Sequence, residues 1–327
     1  MVRRSFVLAA ALICGSALNA QNVTRVETVA GVPDIDRTTQ AQDVRFRNSA
    51  NDRMTVPVRL GGMGPYQFLV DTGADRSAVS SAIVARLALA PASPAALHSS
   101  TGVTTVSTAR VPSLEFTRPA QKLIEAAVLD SANMGADGIV GVDVLRSQRV
   151  QFDFDKKTMT IVPSAVPDFR DEPGTIVVEA RRKNGRLILT DAVANGQDVT
   201  VVLDTGSEIC VGNEALRQRL LGRNLVDGRE KVQLQSVTGD VISGDYMFVR
   251  NLRIGGITLE NLAVVFVDAH TFKQLKLDKT PALLLGMNAF RAFKKVSIDF
   301  ANRQFRVVVP EHSELETRLA MGGRGEP

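Results

Sequence analysis

The sequence predicts a mostly β protein built from two similar lobes. Short runs of β-prone residues, separated by glycine, proline and asparagine turns, extend over most of the 327 residues, a pattern typical of packed sheets. Five features also occur twice in the same order, which indicates a duplicated unit. The clearest is the tripeptide Asp-Thr-Gly, found at 71–73 and 204–206 directly after an apolar run each time.

The first repeated feature is a hairpin that leads into each tripeptide. In the first half, apolar residues alternate from Val56 to Leu60, the chain turns at 61–62, and a second run ends at Val70. In the second half, similar runs flank the pair 195–196, an Asn-Gly turn of the kind that hairpins prefer. We therefore place both tripeptides at the end of a strand.

A short helix and a second hairpin are predicted after each tripeptide. Ser81 and Asn213 are suitable caps for helices whose apolar residues lie four apart. The Thr-Gly pairs that follow, Thr101-Gly102 and Thr238-Gly239, are flanked by β-prone residues and are candidate hairpin tips.

The last two repeated features are apolar strands. Runs closed by glycine, at 138–141 and 283–286, are typical of fully buried strands, and each precedes a short helical segment. Residues 152–154 and 298–300 then lead through a turn into a final strand. Each segment alone is ordinary β core, but their shared order favours two copies of one lobe.

These repeats divide the chain into consecutive regions. We predict a first lobe at 45–163, a linker at 164–174 and a second lobe at 175–310. Residues 21–44 are polar and irregular, which leaves an arm, an added strand and a pro-segment open as alternatives. The glycine-rich tail at 311–327 is predicted to be disordered.

The N-terminus has the pattern of a secretory signal peptide over residues 1–20. Two arginines precede an apolar stretch at 6–13, and small residues follow up to Ala20. We therefore expect a periplasmic or secreted protein. Lipidation of Cys14 is disfavoured because Ile13 is bulkier than the residue that usually precedes such a site. No later run approaches the roughly 20 apolar residues of a transmembrane helix, so no membrane span is predicted.

Composition argues against several other classes. The net charge of +4 is small for this length and gives no sign of a nucleic acid partner. Once the signal peptide is removed, Cys210 is the sole cysteine, so no intrachain disulfide can form, and we interpret it as a packed strand residue. His98, His270 and His312 lack metal-ligand spacing and are expected at the surface. We predict no metal and no cofactor.

The two motifs resemble those of aspartic proteases, in particular the retroviral-type, retropepsin-like branch. The resemblance covers most of both lobes and rests on the runs Asp71-Thr72-Gly73-Ala74-Asp75 and Asp204-Thr205-Gly206-Ser207, each with an apolar-apolar-glycine strand downstream. It implies a bilobal acid-protease fold of two β-barrel-like lobes related by a pseudo-twofold axis, fused here in one chain and expected to act as a monomer. It also implies that Asp71 and Asp204 are catalytic, with the other motif residues supporting their loops, and that the substrate is a polypeptide.

Each motif position also has a physical role. Two carboxyls brought face to face can share a proton and activate a water, one as general base and the other as acid. The glycines allow close approach, and the threonine hydroxyls can bond to the opposing loop. Because Ser207 carries a hydroxyl where the first lobe has Ala74, we expect it to donate to Asp204, which would then hold the charge while Asp71 holds the proton.

The resemblance implies flaps and one departure from the family pattern. The Thr-Gly tips are expected to close over an extended peptide as flaps, with an ordinary exposed hairpin as the alternative. Retroviral enzymes usually place an arginine after the apolar-apolar-glycine run, where it pairs with the acid two residues beyond the motif glycine. Val142 and Met287 occupy these positions here, so Asp75 and Glu208 must be solvated or paired otherwise.

The leading functional hypothesis is an aspartic endopeptidase that cleaves extended, largely apolar segments. The alternative is a catalytically silent peptide-binding scaffold of the same fold in the cell envelope, which two intact motifs disfavour. A purely structural envelope protein would carry two paired aspartates at an unexplained energetic cost.

Overall fold

The computed structural model describes residues 54–115, 121–166, 168, 172–222 and 226–310, together with short strands nearer the N-terminus. The tail at 311–327 and most of the predicted signal peptide lie outside the described residues. The N-terminal strands are β1 (Ile13–Cys14), β2 (Gln21–Asn22), β3 (Gln42–Arg45) and β4 (Arg47–Asn48). The protein is mostly β and forms two lobes, as the sequence predicts.

The first lobe is an eight-stranded sheet among the described residues, with three short helices. Its elements are β5 (Met54–Leu60), β6 (Met63–Val70), β7 (Ala78–Ser80), α1 (Ser81–Leu87), β8 (Pro91–His98), β9 (Val103–Glu115), β10 (Gln121–Leu129), α2 (Ser131–Met134), β11 (Gly138–Val140), α3 (Val142–Leu145), β12 (Gln148–Asp153) and β13 (Thr158–Pro163). The sheet order is β4-β5-β6-β11-β7-β10-β9-β8. The predicted β5–β6 hairpin is confirmed, and β6 continues parallel to the buried β11.

The second lobe repeats this plan around a larger sheet. Its elements are β14 (Thr175–Glu179), β15 (Arg181–Lys183), β16 (Arg186–Leu189), β17 (Ala192–Ala194), β18 (Gln197–Asp198), β19 (Thr200–Leu203), β20 (Cys210–Gly212), α4 (Glu214–Leu221), β21 (Val226–Ser236), β22 (Val241–Ile254), β23 (Ile257–Phe266), α5 (His270–Gln274), β24 (Ala282–Leu285), α6 (Met287–Phe290), β25 (Lys295–Asp299) and β26 (Gln304–Val308). The sheet order is β21-β22-β23-β20-β24-β19-β16-β15, and β1 and β2 pair with β21. The parallel pair β19–β24 corresponds to β6–β11 of the first lobe.

A third sheet joins the two lobes. Its order is β14-β26-β25-β12-β13-β3, so strands of both lobes lie side by side. β12 and β25 pair antiparallel at its centre, with Gln151 opposite Ser297. Within the segment for which three alternatives are open, β3 pairs with β13 at the edge of this sheet.

Of the two predicted helix caps, one is correct and the other is displaced by one residue. Asn213 caps α4 as predicted, and its Oδ1 accepts a hydrogen bond from the Leu216 amide at 2.9 Å. α1, in contrast, is capped by Ser80 rather than Ser81. The capping residue must have extended backbone and accept from the amide three residues on, and Ser80 does so from Ile83 at 3.3 Å.

The main apolar core runs through both lobes and the shared sheet. It contains β-strand residues from each lobe, such as Phe68, together with Phe152 and Phe305 from the joining strands. Because one core is continuous across the boundary, the lobes support each other through burial of apolar surface. No described helix has the length and apolar character needed to cross a membrane.

A buried ion network fastens the region between the lobes to the shared sheet. Oδ2 of Asp168 lies 3.1 Å from Nε of Arg306 and 3.5 Å from Nε of Arg149, and it accepts a hydrogen bond from the Ser297 hydroxyl at 2.9 Å. Nη1 of Arg149 also lies 3.7 Å from Oδ2 of Asp299. All four charged side chains in this network are at least nine-tenths buried, so each charge depends on its partners.

We expect Asp168→Ala to lower the free energy of unfolding by about 3–5 kcal/mol, because it leaves two buried guanidinium groups poorly compensated. Urea unfolding measures the loss. The matched control is Asp268→Ala, which removes an exposed carboxylate 2.8 Å from Lys273 and should cost less than about 1 kcal/mol. Equal losses in the two variants would contradict a stabilising role for the buried network.

Candidate active site

The two Asp-Thr-Gly turns meet between the lobes, each at the end of a buried parallel strand pair. The Asp71 amide donates to the Val140 carbonyl of β11 at 2.9 Å, and the Asp204 amide donates to the Leu285 carbonyl of β24 at 3.1 Å. The apolar run before each motif buries its strand, so the first polar residue after it emerges at the sheet edge. The structure therefore brings the two predicted aspartates to one place.

The threonines of the motifs hold the turns together by reciprocal hydrogen bonds. The Thr72 amide donates to Oγ1 of Thr205 at 3.0 Å, and the Thr205 amide donates to Oγ1 of Thr72 at 3.1 Å. Each hydroxyl in turn donates to a carbonyl of the opposite lobe, Thr72 to Leu203 at 3.2 Å and Thr205 to Val70 at 2.8 Å. The predicted bonding of each hydroxyl to the opposing loop is confirmed.

The glycines of the motifs make room for the opposing carboxyl groups. A Cβ on Gly73 would lie 2.6 Å from Oδ1 of Asp204, and a Cβ on Gly206 would overlap the carboxyl of Asp71. Each carboxyl thus packs against the opposite turn. Since no side chain could occupy these positions without displacing an aspartate, glycine is required by close approach.

Backbone amides orient the two carboxyls. Oδ1 of Asp71 accepts from the amides of Gly73 at 2.7 Å and Ala74 at 3.0 Å, and Oδ1 of Asp204 accepts from the Gly206 amide at 3.1 Å. The two carboxyls also influence each other, since each contributes to the pKa of the other. Both groups are buried, so they form a coupled acid pair that is shielded from water.

The surroundings raise the pKa of both carboxyls, and the contributing groups differ. Burial, reinforced by the charge of Asp204, raises the pKa of Asp71 well above its ordinary value. Burial also raises the pKa of Asp204, but Arg186, the Gly206 amide and the Asp71 side chain oppose the rise and leave it at about 6. Because both pKa values are raised, the pair keeps protons to a higher pH than two separate aspartates would, and the two carboxyls titrate as one unit.

The predicted hydrogen bond from the Ser207 hydroxyl to the Asp204 carboxyl is wrong. The Ser207 hydroxyl donates to the Ile209 carbonyl at 2.7 Å instead of to Asp204. The acceptor is the main-chain carbonyl two residues further on, directly before β20. Ser207 still favours the ionised form of Asp204, but through its backbone amide.

Arg186 is a residue of this site that the sequence reasoning missed. It begins β16, its side chain is only 1% exposed, and its Nε and Nη2 both donate to the carbonyl of Gly73, at 2.8 and 2.6 Å. The available signal was an arginine at the start of a short apolar run that ends next to the second motif strand. Without the register of β16 against β19, that arginine resembles an ordinary strand end.

In the first lobe, a buried serine and a partly buried aspartate brace the loop. The Ser77 hydroxyl accepts from the Gly141 amide at 3.1 Å and donates to Oδ1 of Asp143 at 2.9 Å. The Ser77 amide also donates to the Asp143 carboxylate at 3.0 Å. Burial raises the pKa of Asp143, and the bonds from Ser77 oppose that rise. Asp143 therefore fixes the turn that follows β11.

The second lobe uses the corresponding positions with different chemistry. Sγ of Cys210 accepts from the Gly286 amide at 3.3 Å, and the Cys210 amide donates to Oδ1 of Asn288 at 2.9 Å. Burial raises the pKa of the Cys210 thiol to about 12, so it is neutral and unreactive. Its predicted role as a packed strand residue is confirmed.

The acid beyond the second motif has a partner, although the family arginine is missing. Oε2 of Glu208 lies 3.1 Å from Nη1 of Arg291, which follows α6. Met287, at the position expected for arginine, is buried among apolar residues. The ion pair is thus supplied four residues further along the chain, and the expectation that Glu208 pairs otherwise is confirmed.

Both Thr-Gly pairs lie at hairpin tips, as predicted. Thr101-Gly102 joins β8 to β9, and Thr238-Gly239 joins β21 to β22. The tips touch, since the Thr101 hydroxyl donates to Oδ2 of Asp240 at 3.3 Å. In each tip a serine hydroxyl bonds to the threonine hydroxyl two residues later, Ser99 at 2.7 Å and Ser236 at 2.9 Å.

Each tip also contacts the opposite lobe. Val237 is fully buried in an apolar cluster whose other members belong to the first lobe. On the other side, the His270 amide donates to the Ser100 carbonyl at 2.6 Å, and Nδ1 of His98 lies 3.0 Å from Nε2 of His270. Each hairpin therefore extends from its own lobe to the other.

This histidine pair corrects one expectation. His98 and His270 were expected to be scattered at the surface, but they are partly buried and stack with ring centroids 5.3 Å apart. They are 172 positions apart in sequence, and only the crossing of the first hairpin brings them together. His312 lies outside the described residues. Across the described ranges, histidine, cysteine and acidic side chains form no group of three or more suited to a metal ion.

The fold and the site define the class of protein: two β lobes whose Asp-Thr-Gly turns meet and contact each other. The sequence model of the aspartyl protease family matches residues 56–144 and 190–289, one segment in each lobe. These segments cover more than half of the chain, which therefore belongs to the aspartyl protease family. No curated protein matches the chain. The expectation of a bilobal, mostly β aspartic-protease fold is confirmed.

We expect Thr72→Val to lower the free energy of unfolding by about 2–4 kcal/mol, because it leaves the buried Thr205 amide and Leu203 carbonyl without their partner. Urea unfolding at neutral pH measures the effect. Thr108→Val is the control, since it removes one bond, to the Ser93 carbonyl, within a single lobe. A loss no larger than that of the control would show that the reciprocal bonds add nothing.

We also expect the acid pair to destabilise the fold as the pH rises. Both carboxyls have raised pKa values in the folded state, so it keeps protons that the unfolded chain releases above about pH 4. The free energy of unfolding therefore falls as the pH rises from about 4 through the raised pKa values of the folded state. Asp71→Asn removes this penalty and should stabilise the fold at pH 8 by on the order of 1–3 kcal/mol.

Urea unfolding of the wild type and Asp71→Asn at pH 4, 6 and 8 tests this prediction. The advantage of the variant should shrink toward pH 4, where the unfolded chain is protonated as well. A difference that stays constant with pH would mean that the two carboxyls titrate normally.

Proposed function

We propose that this protein is an aspartic endopeptidase that hydrolyses peptide bonds with a water activated between Asp71 and Asp204. The observation that supports this function best is the buried, hydrogen-bonded carboxyl pair with one member from each lobe. Burying two acids is costly unless their coupling is used. Membership of the aspartyl protease family supports a peptidase and a polypeptide substrate.

The proposed reaction assigns different tasks to the two acids. Ionised Asp204 accepts a proton from the attacking water, while protonated Asp71 donates to the carbonyl oxygen of the scissile bond. As the C–N bond of the tetrahedral intermediate breaks, Asp204 passes its proton to the leaving amine and Asp71 takes a proton back from a hydroxyl of the gem-diol. The pair begins with one proton and ends with one, so the enzyme regenerates itself without a covalent intermediate.

The hairpin tips are proposed to act as flaps. An extended peptide beneath them could add to the exposed strand edges by backbone hydrogen bonds. Since Thr101 contacts Asp240 and Val237 is buried in the first lobe, both tips would have to lift for a substrate to enter. Flap opening is therefore proposed as a gating step.

The proposal extends to the subtype of the enzyme, its oligomeric state and its location. The compact lobes and the absence of aromatic residues at both Thr-Gly tips support a retropepsin-like enzyme with its two lobes fused. The extensive contacts between the lobes support function as a monomer. The arginine-led apolar N-terminus supports a periplasmic or secreted location.

We expect the mature protein to cleave a diverse peptide mixture, tested at pH 4 and pH 7, and a statine-type inhibitor to stop the cleavage. Mass spectrometry identifies the products. Asp71→Asn and Asp204→Asn should each lower the cleavage rate by about 10²–10⁴-fold, as expected for loss of a general acid or base.

Asp143→Asn is the matched control for these variants. It changes a partly buried aspartate beside the site, at a position where the second lobe already uses Asn288, and should retain most of the activity. Peptide binding without cleavage by the wild type would contradict the endopeptidase and favour a binding scaffold. Equal losses in all three variants would remove the special role of the pair.

A further inference from the structure

We propose that Arg146, Arg182 and Arg303 form a binding site for a phosphate-type oxyanion at the junction of the two lobes. The three arginines belong to different segments: Arg146 follows α3 in the first lobe, Arg182 lies in β15, and Arg303 lies in the turn between β25 and β26. The inference goes beyond the endopeptidase, because none of these residues takes part in the proposed hydrolysis. It concerns a second site and a ligand other than the peptide substrate.

Two of the arginines are held beside the turn between β25 and β26. Nη2 of Arg182 donates to the carbonyl of Phe300, the first residue after β25. Arg303, the last residue of the same turn, accepts through its carbonyl from the Ala180 amide at 2.8 Å, directly before β15. Two contacts therefore join the start of β15 to this turn, and they place Arg182 and Arg303 at the same end of the shared sheet.

The third arginine comes from the first lobe. The Phe300 amide donates to the Gln148 carbonyl at 3.3 Å, where β12 begins. Arg146 stands two positions before Gln148, and its amide donates to the Val142 carbonyl at 2.9 Å at the end of α3. Arg182 and the chain next to Arg146 thus contact the same residue, Phe300, from the two lobes.

The positive charges of this arginine cluster lack compensation by the protein. Burial lowers the pKa of the Arg182 guanidinium, and the charges of Arg303 and Arg146 lower it further. Among the residues that the structure describes, none of the three side chains forms an ion pair, and their one hydrogen bond is that from Arg182 to Phe300. The cluster therefore gathers like charges at an electrostatic cost, which a bound anion would offset.

The carboxylates at neighbouring positions of the chain are engaged elsewhere. Asp143 is influenced by Arg146, but its oxygens accept from the amide and hydroxyl of Ser77 at 3.0 and 2.9 Å. Oδ2 of Asp299 lies 3.7 Å from Nη1 of Arg149, in the buried network of the shared sheet. Even with Asp143 counted, the cluster keeps an excess of positive charge.

The chemistry of the cluster favours a phosphate group as the ligand. Guanidinium groups present several N–H donors in a planar fork that matches the oxygens of phosphate. Arg182 uses one nitrogen for the Phe300 carbonyl and keeps other N–H groups for a ligand. Arg303 is exposed, and Arg146 and Arg182 are partly buried, so an anion can approach from solvent. The dianionic charge of phosphate balances three cations better than the single charge of a carboxylate does.

Isothermal titration calorimetry with inorganic phosphate at low ionic strength tests the site. Arg303→Gln changes an exposed side chain, and Arg182→Gln keeps an amide donor for Phe300. Each should weaken binding by about tenfold, as expected for loss of a charge-assisted hydrogen bond. Arg59→Gln is the matched control, because Arg59 is exposed, donates to the Gly62 carbonyl at 3.1 Å and lies outside the cluster. Its phosphate affinity should equal that of the wild type.

Thermal unfolding gives a second measurement, which still decides if Arg182→Gln does not fold. In phosphate-free buffer, Arg303→Gln should unfold at a higher temperature than the wild type, because repulsion within the cluster is reduced. Added phosphate should raise the unfolding temperature of the wild type and of Arg59→Gln, but much less that of Arg303→Gln. An equal rise in all three proteins would reflect a general effect of the salt and would overturn the site.

Vesicles distinguish a free phosphate from a lipid headgroup. Co-sedimentation of the wild type with phosphatidylglycerol vesicles but not with phosphatidylcholine vesicles, lost when Arg146→Gln and Arg303→Gln are combined, would identify an anionic headgroup as the ligand. Binding of inorganic phosphate without vesicle binding would identify a soluble phosphate ligand. Failure of the wild type to bind either probe, or binding that every cluster variant retains, would overturn the inference. None of these measurements requires peptide cleavage, so failure of the endopeptidase proposal would be seen separately.

Discussion

The central physical constraint in this structure is the burial of two carboxyl groups against each other. Separately, each would lose solvation without compensation. In the proposed mechanism they share one proton, while backbone amides and Arg186 favour the ionised form. Most of the distinctive features near the site follow from this constraint, including the two glycines that admit the carboxyls and the threonines that keep the turns aligned.

The duplicated fold satisfies this constraint from both sides. Each lobe ends a buried parallel strand pair at its motif, and the six-stranded sheet shared by the lobes keeps them in a fixed relation. The two lobes differ in several residues that surround the aspartates. Ser77 and Asp143 in the first lobe correspond to Cys210 and Asn288 in the second, and Arg186 extends from the second lobe to the first. Such differences give two similar motifs different surroundings.

Much of the fold could be predicted because its signals are local. Apolar alternation and turn residues predict the hairpins, and the repeated apolar run predicts that Asp71 and Asp204 emerge at strand ends. What could not be predicted depends on register and direction over long distances. The Ser207 hydroxyl bonds to its own strand, and the link from Arg186 to Gly73 requires the two lobes to be assembled. The contact between His98 and His270 likewise exists only once the β8–β9 hairpin reaches the second lobe.

The most direct test is a crystal structure of the protein with a peptide inhibitor that carries a hydroxyl in place of the scissile carbonyl. Convergence of the two lobes on one reaction centre predicts that this hydroxyl lies within about 3 Å of a carboxyl oxygen from both Asp71 and Asp204, beneath both hairpin tips. An inhibitor bound elsewhere, or carboxyls that lie apart in separate clefts, would contradict it.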